Sequence, residues 1–294
     1  MAAPMGLSTF NSGAAPFGNF INYYTFNPPE KRIDFLPKDL LQVISGESRK
    51  KSVTVLDIGC NAGDLTVAVY EHLTKAHHDA QDGDDASGDH SKLSDETALS
   101  SSTCSPVTES DLSGSSTTSD STNVHILGCD IDDLLITRAY ESNIHSENIT
   151  FKTLDFMCDS ARHDVLSRFL ATHPDTLAGR FDLVCCFSIT MWIHLQNGDE
   201  GLRKFLREVS AISNFLLIEP QPWKCYTSAV RRVSKLGVEN SWRFKELLIR
   251  NTVVDEIKTY LETACHMKLI RTLGVTHWDR KLLLFKSNGV ADHN

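Results

Sequence analysis

Short runs of β-branched and aliphatic residues alternate along most of the chain with longer segments in which apolar positions recur at helical spacing. The runs fall at residues 53–58, 124–129, 149–154, 181–187, 215–218, 267–273 and 282–285 and predict seven strands. The helical segments fall at 65–73, 133–143, 161–172, 200–210, 226–236 and 253–263. Strands separated by helices require right-handed crossovers, so the expected fold is α/β, with a mainly parallel, doubly wound sheet. No internal repeat interrupts this order.

Two stretches break the pattern. Residues 76–123 contain 19 Ser/Thr and 10 Asp/Glu against one Lys, with no aromatic residue. Such a segment cannot bury enough apolar surface to offset its ordering entropy, so it is expected to be a disordered insertion in a surface loop. Its Ser/Thr content also allows a tether controlled by phosphorylation. The second stretch, 13–24, mixes aromatics with turn formers and is expected to pack as a lid over a sheet edge. The domain reading is an N-terminal lid and substrate segment at 1–34 and a catalytic domain at 35–290 that carries the 76–123 insertion.

Charge changes the picture only once the insertion is set aside. The chain of 294 residues has a net charge of -9, but outside 76–123 acidic and basic residues balance, so an anionic partner such as RNA is not excluded. No apolar run approaches the roughly 20 residues needed to cross a bilayer, and no basic start followed by an apolar stretch marks a signal peptide. The eight cysteines form no C-x-x-C pair and are expected to fill the core in a reducing compartment, without structural zinc.

The candidate chemistry begins after the first strand, at Asp57-Ile58-Gly59-Cys60-Asn61-Ala62-Gly63. Gly59 and Gly63 would let a ligand approach the backbone, and the helix that follows offers unpaired amides. Asn61 stands where a dinucleotide fingerprint has its middle glycine, which favours a ligand without pyrophosphate. Asp130 ends the second strand at the distance expected of a ribose-binding acid once the insertion is removed. Asp155 and Phe156 after the third strand suit an adenine, the carboxylate for its amine and the ring for its face. Asp57 is read as lying near an amino group of the ligand, and Arg32 as the cation for the ligand's carboxylate. Adenosine joined to an amino acid is S-adenosylmethionine, so the expected class is a methyltransferase of the Rossmann-like class I type.

Two further strings are more specific: Ser188-Ile189-Thr190-Met191-Trp192-Ile193-His194-Leu195 and Glu219-Pro220-Gln221-Pro222-Trp223-Lys224-Cys225-Tyr226. With Gly18-Asn19-Phe20 and Tyr23-Tyr24 they resemble the Bicoid-interacting type of RNA methyltransferases, whose members methylate the 5′-terminal phosphate of RNA. One branch of that family acts on triphosphate ends and has Tyr-Gly-Tyr-Arg after its Gly-Asn-Tyr motif. Here the chain reads Tyr24-Thr25-Phe26-Asn27-Pro28-Pro29-Glu30, so the likeness is to the branch acting on monophosphate ends. The resemblance implies a cytoplasmic enzyme acting on histidine tRNA, with precursor microRNA as a second candidate, and cofactor contacts at Arg32, Asn61, Asp130, Asp155, Phe156 and Phe187.

A terminal phosphate is already anionic near neutral pH, so alignment rather than a general base should carry the reaction, and Glu219 is not assigned as one. His194 and Lys224 are the leading phosphate donors, supported by Gln221, Tyr23 and Tyr24, because both loops follow strand ends. Trp192 and Trp223 either stack a terminal base or fill the core. Arg231, Arg232 and Lys235, with Arg243 and Lys245, either track RNA backbone or solvate a surface. No metal is expected, and the working unit is read as a monomer. Two other classes remain open: methylation of a small molecule or protein, and an RNA chaperone that binds the cofactor without turnover.

Overall fold

The first strand pairs on both sides, and this places the site. The computed structural model describes residues 17–20, 22–46, 50–78, 122–173, 179–235, 242–276 and 279–289. In chain order the elements are α1 (Tyr23–Phe26), α2 (Glu30–Ile33), α3 (Leu40–Ser45), β1 (Ser52–Ile58), α4 (Asp64–His78), β2 (Asn123–Asp130), α5 (Asp133–Ser142) and β3 (Ile149–Thr153). There follow α6 (Asp159–Ala171), β4 (Phe181–Phe187), α7 (Thr190–Ala211), β5 (Ser213–Glu219), α8 (Trp223–Lys235), α9 (Val253–Thr263), β6 (Met267–Val275) and β7 (Lys281–Ser287). The sheet order is β3-β2-β1-β4-β5-β7-β6, with β7 alone antiparallel to its neighbours. This is the expected Rossmann-like sheet, and its chain order reverses between β1 and β4, where open α/β sheets place their ligands.

Burial on both faces explains the near-continuous apolar strands. Along β4, Leu183 and Cys185 pack with Val55, Ile126 and Leu73 of α4, whereas Val184 and Cys186 pack with Leu216, Phe205 of α7 and Ile257 of α9. Alternation at period 2 thus feeds two cores from one strand. Of the seven described cysteines, Cys60, Cys129, Cys185 and Cys186 are buried core residues as expected, but Cys158 is exposed and Cys225 and Cys265 are half-buried.

Differences from the sequence reading have local causes. Helix α7 starts at Thr190, not at residue 200, because Gly198 has φ 73 and breaks the helical phase between its two parts. The short helices α1–α3 carry too few turns for a periodic signal. Residues 76–78 belong to α4 and Asn123 to β2, which trims the insertion at both margins; its body, 79–121, lies outside the described residues. The lid reading is tested only at 17–20 and 22–24, since residues 13–16 and 21 lie outside the described residues, and this part is not at a sheet edge. It lies over the C-terminal ends of the central strands, where the Tyr24 hydroxyl donates to the Cys60 carbonyl and Asn61 Nδ2 donates to the Phe20 carbonyl.

Candidate functional site

A cavity of about 1120 Å³ opens at the C-terminal ends of β1 to β5, lined by residues that directly follow each of these strands and by the 17–32 segment. That volume lies at the upper end of small-molecule sites and can take a ligand plus part of a second one.

At one end the turn after β1 approaches the end of β2. Gly59 has φ 80, and a Cβ there would stand 2.8 Å from Ile189 Cδ1, so both backbone and space call for glycine. Asn61 holds φ 53, which asparagine tolerates better than most residues; its amide donates to Asp130 Oδ2 at 2.9 Å. Asp130 Oδ1 accepts from the Asp132 amide at 3.0 Å. Burial lifts the Asp130 carboxyl above its ordinary range. Asp155 is exposed at the rim, its Oδ1 accepting from the Met157 amide at 2.9 Å. Gly59, Asn61, Asp130, Asp155, Phe156 and Phe187 all line the cavity.

Two residues expected here lie behind the turn. Asp57 is not among the lining residues: its Oδ2 accepts from Thr66 Oγ1 at 2.6 Å, and burial raises its carboxyl to about 6. Gly63 packs helix to sheet, because a Cβ would stand 2.7 Å from Phe151 Cζ. The Phe156 ring is also committed, with Phe205 at 5.5 Å and the Arg162 guanidinium at 5.2 Å, so it bounds this end of the cavity from within the core.

The opposite end is cationic. Arg32 is fully buried, not a solvated surface charge, and forms an ion pair with Glu219 at 3.1 Å. Its Nη2 also donates to the Tyr23 hydroxyl at 2.7 Å and to Ser188 Oγ at 3.0 Å. Ser188, at φ 56, donates in turn to Glu219 and accepts from Arg280 Nη1 at 2.6 Å. Arg280 lines the cavity and was missed in the sequence because it stands before the last strand, in no motif. Lys224 is at the rim, largely exposed, with Nζ 2.9 Å from Asp279 Oδ2. Tyr23 and Tyr24 both line the cavity, and burial pushes the Tyr24 phenol up.

His194 is a correction. Its ring is fully buried outside the cavity lining, Nδ1 is 3.0 Å from the Tyr226 hydroxyl and Nε2 is 2.7 Å from Asp199 Oδ1. Burial holds the imidazole below its ordinary value, opposed by Asp199. Both nitrogens are thus used to join the break in α7 to α8, and the residue is not among those lining the cavity. Gln221 is a positioning residue: its Oε1 accepts from Thr190 Oγ1 at 3.0 Å and the Met191 amide at 2.9 Å, while Nε2 donates to the Ser188 carbonyl. Trp223 is stacked between Tyr226 and Phe244 at 5.0 and 5.1 Å and packs half-buried against the core. Trp192 lines the cavity and supports the lid, with Gly18 seated on its indole and Phe20 at 6.1 Å. Arg232 also lines the cavity, its guanidinium 4.5 Å from the Phe20 ring, whereas Arg243 pairs with Glu246. Among the described residues no group of three metal-ligating side chains comes together, and no helix is long and apolar enough to cross a membrane.

Known proteins share this sequence well beyond the site. A family model described as Bicoid-interacting protein 3 (Bin3) matches residues 181–287. The chain is 42% identical over 279 residues to a pre-miRNA 5′-monophosphate methyltransferase of Xenopus laevis, covering 93% of each. It is 40% identical over 276 residues to an RNA 5′-monophosphate methyltransferase of Homo sapiens, covering 94% of this chain and 82% of the other. The 7SK snRNA methylphosphate capping enzyme of Mus musculus is 33% identical over 89 residues, 29% of this chain and 12% of that one.

Proposed function

Because this chain belongs to the Bicoid-interacting protein 3 (Bin3) family, we propose that it is an O-methyltransferase moving a methyl group from S-adenosylmethionine to the 5′-monophosphate of RNA. The observation that carries this reading is the polarity of the cavity: a glycine turn with two carboxylates at one end, and Arg32, Arg280 and Lys224 at the other.

The residues present fit the cofactor. Each Asp130 oxygen accepts one backbone amide, and a carboxylate has room for about four such bonds, which leaves capacity for two ribose hydroxyls. Gly59 leaves the turn open to the ligand, and Asp155 at the rim is placed to accept from an exocyclic amine. Arg32, beside Glu219, is the cation for the amino-acid end. When bound, S-adenosylmethionine supplies a methyl group on a positively charged sulfur.

The chain's own residues then hold the acceptor. A phosphate monoester has a second pKa of about 6 and is mostly dianionic at neutral pH, so its oxygen needs no base. At the cationic end Glu219 is buried, with Oε2 taken by Arg32 and Ser188 and Oε1 without a hydrogen-bond partner among the described residues. Arg280, Lys224 and the Tyr23 hydroxyl hold the phosphate oxygens, and their contribution is alignment and charge. The RNA proposed is the acceptor stem of histidine tRNA or precursor microRNA; the name of the frog relative supports the second. Arg231 and Lys235, exposed on α8 beside the mouth, are placed to meet its backbone.

Labelled cofactor is incubated with one tRNA in 5′-phosphorylated and 5′-hydroxyl forms. Label is expected on the phosphorylated form alone. Label on both rejects phosphate as the acceptor, and label on neither favours binding without turnover.

A further inference from the structure

The charges at the cationic end of the cavity are ordered by depth. Arg32 is innermost, fully buried and matched by Glu219. Arg280 comes next, half-buried, its Nη1 on Ser188 Oγ and its Nη2 3.8 Å from Cys225 Sγ. Lys224 is outermost, with Nζ on Asp279, and the Asp279 side chain is 72% exposed. Asp279 is also fixed in the backbone. It sits at φ 60 in a turn where its amide donates to the Thr276 carbonyl and the Thr276 amide donates to the Arg280 carbonyl. This turn carries Asp279 and Arg280 side by side, Arg280 lining the cavity and Asp279 exposed beside it on Lys224. Across the five side chains there are three cations and two carboxylates.

Resting on the reading of a 5′-phosphate acceptor, we infer that Asp279 sets the length of the phosphate chain this site accepts. Arg280 takes the terminal phosphate. Asp279 pairs with Lys224 outside Arg280, and a second or third phosphate would come to lie beside its carboxylate. A monophosphate, with about two negative charges, meets Arg280 inside the rim and puts no charge beside Asp279. A diphosphate or triphosphate would put further charge beside a carboxylate, and like charges brought together discriminate against the wrong partner. Exposed charge pairs act weakly and are screened, so the expected discrimination is severalfold and falls with salt.

The test compares one RNA bearing a 5′-mono-, di- or triphosphate, methylated in competition by the full-length protein and by Asp279→Asn, at low and high salt. The Asn variant is expected to raise the ratio of triphosphate to monophosphate turnover by about fivefold or more at low salt, and by less at high salt. Asp279→Glu, which keeps the charge, is expected to retain the original ratio. An unchanged ratio in Asp279→Asn at low salt overturns the assignment of Asp279. Wild-type protein that labels no phosphorylated RNA overturns instead the functional reading beneath it.

Discussion

Asp130 joins the turn after β1 to the turn after β2, one carboxylate oxygen to each, so its loss has a predictable consequence. Asp130→Ala removes a charged acceptor for the Asn61 and Asp132 amides as well as for any ribose, and hydrogen bonds to charged groups contribute roughly 1.5–3 kcal/mol each. Calorimetry should show cofactor affinity falling at least about 100-fold. His194→Ala should behave differently, because its two bonds hold α7 to α8 and not a ligand. We expect a loss of about 2–4 kcal/mol in denaturant unfolding with kcat within about threefold of wild type; a folded variant with collapsed kcat would return the imidazole to the chemistry. Asp57 gives a pH signature. Its folded carboxyl sits at about 6 against an ordinary 3.8, so the stability it contributes is present below pH 3.8 and lost as pH rises through about 6. Asp57→Asn should remove roughly 2–3 kcal/mol of that decline, read as a flatter dependence of the unfolding midpoint between pH 4 and 7.

At the scale of elements, the break in α7 matters most. Gly198 at φ 73 lets the first turns of α7 carry Met191 and Trp192 to the cavity while the later turns bury Leu202, Phe205 and Leu206. Gly198→Ala would strain the backbone and bring a Cβ to 3.3 Å from Arg243 Nη1. The expected cost is about 1–2 kcal/mol, a fall in Tm of roughly 3–6 °C by calorimetry. The same glycine is why residues 190–199 read as a loop: helical period is continuous only where the backbone is, and a left-handed residue resets it. The strands were legible because both faces of a parallel sheet are buried and demand continuous apolar runs. Helices α1 and α2 were not, since each has four residues and owes its form to packing over the strand ends.

For the whole molecule, the insertion separates stability from site. Residues 79–121 join the end of α4 to the start of β2, and their composition offers little apolar surface to any core. Replacing them by a short Gly/Ser linker should leave cofactor affinity unchanged. Stability should stay equal or rise by up to about 2 kcal/mol, since each halving of loop length returns about 0.6 kcal/mol. Unfolding of that variant would show that the segment packs.

Sequence by itself determined the seven strands, their alternation with helices, the glycine turn after β1 and the acids that end β2 and β3. These are local or periodic properties, written in neighbouring residues by backbone sterics and burial. Tertiary structure alone decided which charges meet. Arg32 finds Glu219 across 187 positions, Arg280 finds Ser188 across 92, and His194 turns inward to Asp199 and Tyr226. Crossovers bring such groups together only when the sheet is assembled, and burial then requires each to take the partner within reach.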